Sequence, residues 1–280
     1  MEYNYEHLKG KTAVITGGGG VICSTIAMGF AKVGVNTVLL DINEELAISE
    51  AKKITEATGT QSVGLKADVL NKASLIAVKD TIVKAFGQID ILINGAGGNS
   101  PKATTALEQI TSDDTNDLEK SFFGLDSDGF DWVFALNFKG TLLPTLVFAE
   151  EMVKRGGGSV LNISSMNAFS PLTKIPAYSA AKASINNFTQ WLSVHFAKTG
   201  VRVNAIAPGF FLTNQNRFLL VDEKSGDMTP RGEKIIRNTP MGRYGEVEEL
   251  IGSSLFLSSE MAKFITGVII PIDGGYSAFG

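Results

Sequence analysis

Seven short apolar runs alternate along the chain with longer stretches whose apolar residues recur at helical spacing. The runs are residues 12–16, 37–40, 63–66, 89–93, 159–163, 201–206 and 268–272. The helical stretches are residues 22–33, 44–57, 72–86, 134–155, 177–198 and 247–257. Because the runs are apolar almost throughout, they suit strands that helices cover on both faces. The alternation therefore predicts an α/β fold: a Rossmann-like, doubly wound, parallel sheet of seven strands with helices on both faces.

The chain contains no linker rich in Pro, Gly or Ser and no internal repeat, so we expect residues 1–280 to form a single domain. Two stretches interrupt the alternation of strand and helix. One is a polar, acidic insertion at about 99–131, and the other is residues 210–243. Long loops in compact domains often serve binding, so we predict that the second is a substrate lid. Ordinary solvated surface loops are the alternative for both.

Charge and composition exclude several classes of protein. The chain has 25 Lys and Arg against 29 Asp and Glu and no basic run, which argues against partners such as nucleic acid or an anionic membrane. With one cysteine and two histidines it can form neither an internal disulfide nor a Cys/His zinc site, and we predict no metal. It has no signal-peptide pattern and no apolar run near the ~20 residues of a membrane span. We therefore expect a cytoplasmic protein.

A cluster of glycines, residues 17–20, directly follows the first predicted strand and precedes a helix that begins near Val21. Unpaired N–H groups at such a helix start can bind the pyrophosphate of a dinucleotide, although an ordinary tight turn is also possible. Asp41 ends the next strand, 24 residues after Gly17. A carboxylate there can accept hydrogen bonds from ribose hydroxyls and would repel the extra phosphate of NADP, so NAD is the favoured cofactor. The alternative for Asp41 is a helix N-cap.

Tyr178 and Lys182 are four residues apart in a predicted helix that follows Pro176, and they therefore share one helix face. A phenol that titrates near pH ~10 is a poor base at neutral pH. A neighbouring ammonium and the positive end of the helix dipole would each favour the phenolate. The pair is thus a candidate acid/base centre.

These features stand in a longer series of motifs that resembles the classical short-chain dehydrogenase/reductase family over essentially the whole chain. The marks are Thr16-Gly17 with the glycine turn, Asp41, Ala67-Asp68-Val69, Asn94-Gly95-Ala96-Gly97, Asn137, Ser164-Ser165, Tyr178-Ser179-Ala180-Ala181-Lys182, Pro208-Gly209 through Thr213, and Asp273-Gly274-Gly275.

The resemblance implies a catalytic tetrad of Asn137, Ser165, Tyr178 and Lys182. Tyr178 would be the general acid/base, and Lys182 would lower its pKa and hold the nicotinamide ribose. Ser165 would stabilise the charge that develops on the reacting oxygen. Asn137 would hold a water that links Lys182 to solvent. Strand-end capping by Ser165 and a helix hydrogen bond from Asn137 are the alternatives.

The resemblance also implies which residues bind the cofactor. They are Gly17, Gly19, Val21, Ile22, Asp41, Asp68, Val69, Asn94, Ala96, Gly97, Tyr178, Lys182, Pro208, Gly209, Phe211 and Thr213. The chain departs from the family's usual Thr-Gly-x-x-x-Gly-x-Gly series, because Val21 and Cys23 replace its last two glycines. The path of the phosphate loop therefore depends on residues 18–20, and Cys23 is expected to be a small packing residue.

Three loops rich in amides and hydroxyls, residues 99–102, 166–169 and 210–217, suit a polyhydroxylated substrate. They resemble those of the sugar-acid branch of the family, the fructuronate reductases or D-mannonate oxidoreductases. The predicted substrate contacts are Asn99, Lys102, Ser165, Asn167, Tyr178, Asn214 and Arg217. Arg217, Lys102 or Lys174 would bind the substrate's carboxylate, unless each is a solvated surface cation.

Two other functions remain possible at this stage. One is a gluconate 5-dehydrogenase-like or 3-oxoacyl reductase-like enzyme on the same fold. The other is a non-catalytic dinucleotide-binding regulator, against which the presence of both Tyr178 and Lys182 argues. The resemblance further implies a homotetramer, built through the helices that carry Asn137 and Tyr178 and through the C-terminal strand.

Overall fold

The computed structural model describes residues 4–213, residue 220 and residues 227–279. Its centre is a parallel sheet of seven strands in the order β3-β2-β1-β4-β5-β6-β7, which confirms the predicted fold class. The strands are β1 (Thr12–Thr16), β2 (Asn36–Asp41), β3 (Ser62–Lys66), β4 (Ile91–Asn94), β5 (Gly158–Ile163), β6 (Val201–Pro208) and β7 (Ile269–Ile272).

Eight helices accompany these strands in the part of the chain that the structure describes. They are α1 (Val21–Lys32), α2 (Glu44–Thr58), α3 (Lys72–Phe86), α4 (Ser127–Phe134), α5 (Gly140–Arg155), α6 (Pro176–His195), α7 (Pro230–Arg237) and α8 (Glu249–Ser258). Two apolar clusters fill the two faces of the sheet. Phe30 of α1 and Leu250 of α8 lie in one, and Phe148 of α5 and Ile82 of α3 lie in the other. Both faces are therefore covered, as the continuously apolar strands predict.

The order of the strands determines where a ligand can bind. At its carboxyl end β1 pairs with β2 on one side (Thr16 with Leu40) and with β4 on the other (Thr16 with Asn94). The chain thus winds in opposite directions on either side of β1, and the loops after β1 and β4 diverge above the sheet. In open sheets of this type, ligands bind in the crevice that results.

The prediction of one helix over residues 134–155 is wrong, because the structure has three elements there. After α4, a π-helical turn (Ala135–Lys139) leads into α5. The Asn137 side-chain amide donates to the Val133 carbonyl at 2.8 Å, and so replaces a main-chain donor. Further along, Pro144 has no N–H with which to bond residue 140. Both features favour a local change of helical pitch.

Two further elements differ from the sequence-based expectation. The insertion predicted as an irregular loop contains four short 3₁₀ turns: Pro101–Ala103, Ser112–Asn116, Leu118–Lys120 and Phe122–Gly124. The predicted lid includes the helix α7, whose amphipathic pattern spans only eight residues and so gives a weak signal.

One helical stretch of the described chain, Ser127–Arg155, is long and apolar enough to cross a membrane when judged by length and composition alone. Its most apolar window of 18 residues has a mean hydropathy of 1.3, and half of that window is buried inside the protein. A core helix of a globular protein has the same character. The helix packs against α3 and the sheet.

Candidate active site

The glycine turn after β1 passes so close to its neighbours that side chains would not fit. Gly17 has a φ of +69°, and a Cβ there would lie 3.0 Å from the main chain of Ala96. A Cβ on Gly18 would lie 2.6 Å from the Cβ of Leu39. Helix α1 then begins at Val21 with neither a side-chain cap nor an acidic residue in its first turn. Its free N–H groups and the open backbone before them fit the pyrophosphate of a dinucleotide.

The departure of Cys23 from the usual glycine has a packing explanation. A Cβ on Gly95 would lie only 2.2 Å from the Cys23 sulfur, so this sulfur occupies the space beside Gly95 where α1 meets the loop after β4. Burial raises the pKa of the Cys23 thiol to about 12. The residue is therefore a neutral packing group at physiological pH, as predicted from its size.

Asp41 joins the end of β2 to the glycine turn. Its Oδ2 accepts a hydrogen bond from the N–H of Gly19 at 3.0 Å, and its Oδ1 accepts one from the N–H of Asn43 at 2.9 Å. The alternative interpretation of Asp41 as a helix cap is wrong, because Asn43 caps α2 by accepting from the N–H of Leu46. Each carboxylate oxygen can accept a further hydrogen bond, so the group still fits ribose hydroxyls.

The side chain of Thr16 organises the loop after β4, a role that its position in the sequence does not indicate. Its Oγ1 accepts hydrogen bonds from the N–H of Gly95 at 3.1 Å and the N–H of Ala96 at 3.2 Å. This contact fixes Ala96 beside Gly17, where the cofactor is expected. Only the register of β1 with β4 brings these residues together, so their sequence separation gave no signal.

Asn94 points away from the expected cofactor site and into the protein interior. Its side chain is 1% exposed, and its Nδ2 donates to the Thr145 Oγ1 at 2.9 Å and the Asn162 Oδ1 at 2.8 Å. It thus connects β4 to α5 and β5. The Asn94 side chain therefore serves the fold, and the prediction that Asn94 lies along the cofactor applies to its main chain.

Most other predicted cofactor residues follow the carboxyl ends of strands, and Val21 and Ile22 form the first turn of α1. Asp68 and Val69 follow β3, Gly97 follows β4, and Pro208 ends β6, with Gly209, Phe211 and Thr213 after it. A Cβ on Gly209 would lie 2.5 Å from the Asp273 Cβ, so the loops after β6 and β7 are in contact. The parallel strands therefore gather these residues at one edge of the sheet.

Three of the four predicted catalytic residues come together beyond the end of β5. Ser165 follows that strand, and Tyr178 lies in the first turn of α6, which begins at Pro176 as predicted. The Ser165 hydroxyl lies close enough to the Tyr178 hydroxyl to favour its ionised form. The Lys182 ammonium lies 5.5 Å from the centroid of the Tyr178 ring and donates to the Ile163 carbonyl at 2.8 Å.

Burial is the main cause of the pKa shifts of Tyr178 and Lys182. It raises the pKa of Tyr178, and the Ser165 hydroxyl opposes that rise only in part. It lowers the pKa of the almost fully buried Lys182 to about 8. The expectation that Lys182 lowers the pKa of Tyr178 is thus not met in the protein alone. Tyr178 is protonated at neutral pH and can donate that proton.

Asn137, the fourth predicted catalytic residue, clamps the loop after β4. Its Nδ2 donates to the Gly98 carbonyl at 2.7 Å, and its Oδ1 accepts from the Gly98 N–H at 3.2 Å. A Cβ on Gly97 would lie 2.5 Å from that Oδ1 and 3.4 Å from the Lys182 Nζ. The side chain also bonds the helix, as the alternative interpretation expected; both Nδ2 hydrogens are used, so a water could donate only to its Oδ1 or to its main-chain carbonyl. Thr141 already donates to that carbonyl at 2.9 Å.

The predicted substrate residues are only partly assembled. Asn167 is buried beside Ser165, to whose Oγ its N–H donates at 3.2 Å. Asn99 is exposed and donates to the Thr104 hydroxyl within the insertion. Lys102 is also exposed, in the turn Pro101–Ala103, whereas Lys174 lies just before α6. Asn214 and Arg217 lie outside the described residues.

Comparison with known proteins agrees with this geometry. A family model described as enoyl-(acyl carrier protein) reductase matches residues 20–277. An uncharacterised oxidoreductase of Haemophilus influenzae is 52% identical over 274 residues, which cover 98% of this chain and 95% of that protein. The chain belongs to the short-chain dehydrogenase/reductase family. It is therefore an oxidoreductase of that type, and its single-domain fold is the family's.

Three further relatives of this short-chain dehydrogenase/reductase carry more detailed names. A crystal structure of a Haemophilus protein, provisionally assigned as a D-mannonate oxidoreductase and with NAD bound, has a TM-score of 0.93 and 51% identity, and the match covers 99% of each chain. A 2-dehydro-3-deoxy-D-gluconate 5-dehydrogenase of Dickeya dadantii is 31% identical over 99% of this chain and all of its own. A gluconate 5-dehydrogenase of Burkholderia cenocepacia, in complex with NADP and tartrate, has a TM-score of 0.80 and 30% identity, over 97% of this chain and 96% of that one.

Proposed function

We propose that the protein is an NAD(H)-dependent enzyme that interconverts a ketone and a secondary alcohol of a sugar acid, with D-fructuronate and D-mannonate as the preferred pair. The observation that carries this proposal is the contact of a protonated Tyr178 with Ser165 next to the buried Lys182. These residues lie beside a backbone cradle that fits a dinucleotide. An acid and a hydroxyl at one point can act together on a carbonyl oxygen.

In the proposed reaction, four side chains of the protein have separate roles. Tyr178 donates its proton to the substrate oxygen in reduction and accepts it in oxidation. Ser165 donates a hydrogen bond to the same oxygen and stabilises its developing charge. Lys182 provides a cation to the ribose side of the cofactor, and Asn137 holds the loop at Gly98 in place. The bound nicotinamide supplies or accepts the hydride.

Support for a sugar acid comes from the relatives and from the polar surroundings of Tyr178. The solved neighbour with NAD carries a D-mannonate oxidoreductase assignment, and two more distant relatives are named for gluconate-type substrates. The buried amide of Asn167 next to Ser165 suits a substrate hydroxyl. Because of the gluconate-type relatives, oxidation at C5 of a gluconate is the second candidate.

The proposal is tested by following NADH consumption with D-fructuronate, 5-keto-D-gluconate and 2-dehydro-3-deoxy-gluconate-type ketones offered separately. We expect the highest kcat/KM with D-fructuronate, and NAD reduction when D-mannonate is supplied. Good activity on another ketone together with none on fructuronate would refute the preferred substrate. Activity on 5-keto-D-gluconate alone would select the second candidate.

Asp41 determines the preference for NAD in this proposal. In Asp41→Asn the carboxylate charge is lost while an oxygen remains to accept from Gly19, so the 2′-phosphate of NADP is no longer repelled. We expect the ratio of kcat/KM for NADPH to that for NADH to rise about tenfold, equivalent to ~1.4 kcal/mol. Asp80→Asn, on the exposed surface of α3, is the matched control. An unchanged ratio would remove Asp41 from cofactor selection.

We also propose a homotetramer, because α6 carries an aromatic row on its exposed side. Phe188 lies 5.8 Å from Phe138 of the π turn and 6.4 Å from Trp191, between ring centroids. Trp191 and Val194 are 57% and 77% exposed. Exposed apolar groups on neighbouring helices are typical of a subunit interface. Light scattering should give four times the mass of 29.8 kDa, and a monomer would contradict the assembly.

A further inference from the structure

An ion pair joins the chain that follows β4 to the chain that follows β6. In the sheet, β5 lies between β4 and β6. The chain that follows β4 carries Glu108, and the chain that follows β6 carries Lys234 on α7. The Lys234 Nζ lies 2.5 Å from the Glu108 Oε2. The two excursions from the strands that flank β5, the strand that leads to Ser165, are therefore in contact.

The insertion is also fastened to the segment that leads into α6. The N–H of Thr105 donates to the Lys174 carbonyl at 3.0 Å, and the buried Ala103 packs in one apolar cluster with Tyr178. Glu108 lies three residues after Thr105 and is thus tied to the segment that carries Tyr178. This connection places the ion pair on the same side of the molecule as the proposed active site.

Two more cations act on Glu108. The hydrogen bond from Lys234 lowers the pKa of its carboxyl, and the charges of Lys174 and Arg231 lower it further. Lys234 is thus in contact with the Glu108 carboxylate, and the charges of Lys174 and Arg231 reach it as well, in a protein whose net charge is -4. A local excess of positive charge attracts anions to a cleft.

The strength of the ion pair does not explain this arrangement. Lys234 and Glu108 have side-chain exposures of 49% and 47%, and pairs so exposed contribute little to stability. A structural clasp would also need only one cation. Three cations that act on one exchangeable carboxylate fit a site whose true ligand is a carboxylate from solution.

We propose that Lys234, Arg231 and Lys174 bind the carboxylate of an acid substrate, and that Glu108 is a placeholder which this carboxylate displaces. The inference rests on the proposed function and makes it more specific, because it assigns residues that distinguish a sugar acid from a neutral sugar. It also replaces Lys102 as a candidate, since no contact joins that exposed residue of the turn Pro101–Ala103 to this cluster among the described residues.

The two partners of the ion pair should have opposite effects on substrate binding. Lys234→Met removes a cation from the site and should raise the KM for D-fructuronate about tenfold, as expected for one charge-assisted contact. Glu108→Gln removes the competing carboxylate and should lower that KM about threefold, because the effect of an exposed charge is screened. Lys154→Met is the matched control. That lysine is ion-paired to Glu150 at the far end of α5 and should leave KM unchanged.

A second measurement does not depend on turnover. Calorimetric titration of D-mannonate into the protein without cofactor should show weaker binding to Lys234→Met and tighter binding to Glu108→Gln. D-Mannitol, which lacks the carboxylate, should show no difference between the two variants. If Glu108→Gln weakens mannonate binding as Lys234→Met does, the pair is a structural clasp and the placeholder is refuted. If the two substitutions changed the affinities for mannonate and for mannitol equally, the proposed carboxylate site would also be refuted.

A wrong assignment of the substrate can be distinguished from a wrong assignment of the carboxylate site. If the wild-type enzyme reduces another ketone but no sugar acid, the proposed substrate is wrong. The cation site is then tested with tartrate as an inhibitor of that reaction. Weaker inhibition of Lys234→Met would support the site, and inhibition equal to wild type would overturn it.

Discussion

Tyr178→Phe is expected to lower kcat about a thousandfold in both directions of the reaction, within the range typical of a general acid/base. The substitution removes only the hydroxyl that Ser165 contacts and leaves the ring beside Lys182 in place. The affinity for NADH should stay within about twofold, because a packing ring remains. Steady-state kinetics and a fluorescence titration of NADH measure the two quantities.

Tyr5→Phe serves as the control, because Tyr5 packs on the apolar cluster of α1 and α8 and loses the same atom. It should keep wild-type kcat. If Tyr178→Phe also kept it, another group would be the proton donor and the proposed chemistry would be wrong. If the variant lost NADH binding together with kcat, the main role of Tyr178 would be to bind the cofactor and not to transfer the proton.

Lys182→Met is expected to lower kcat about a hundredfold or more and, at the same time, to stabilise the folded protein at pH 7. The pKa of Lys182 falls from 10.5 to about 8 on burial, so keeping it charged in the fold costs about 3 kcal/mol at ~1.4 kcal/mol per pH unit. Loss of its hydrogen bond to the Ile163 carbonyl offsets about half of that cost. A net gain of about 1–2 kcal/mol should raise Tm by a few degrees.

The sign of the pH dependence makes this prediction specific. Between pH 8 and 10.5 the unfolded chain keeps the Lys182 proton while the folded protein has lost it, so wild-type stability rises with pH in this window. The advantage of Lys182→Met should therefore shrink between pH 7 and pH 9.5. Denaturant unfolding at the two pH values measures it, with the exposed Lys154→Met as control. A variant less stable than wild type at pH 7 would show that Lys182 supports the fold.

The sheet and most of its helices could be predicted because their signals are local. A run of apolar residues or a helical repeat needs only its own neighbours in sequence. The order of the strands was not predicted, because it depends on how the strands pair in three dimensions. The π turn at Asn137 could not be predicted, because it depends on a side chain that bonds both Val133 and Gly98. The inward orientation of Asn94 was missed for the same reason, since Thr145 and Asn162 reach it from other elements.

The sequence by itself determined the chemistry available to this protein: a glycine turn before a helix, an acidic residue at the end of β2, and a tyrosine one turn before a lysine. Spacing along one helix or one turn is enough to bring Tyr178 to Lys182 and the glycines to the start of α1. Only the tertiary structure decided the pKa values of these groups and their long-range contacts. Burial sets the pKa of Tyr178 and Lys182, and Glu108 meets Lys234 across 126 residues because strand order places their segments on either side of β5. Solvent exclusion and long-range contacts are properties of the packed chain, which no local pattern encodes.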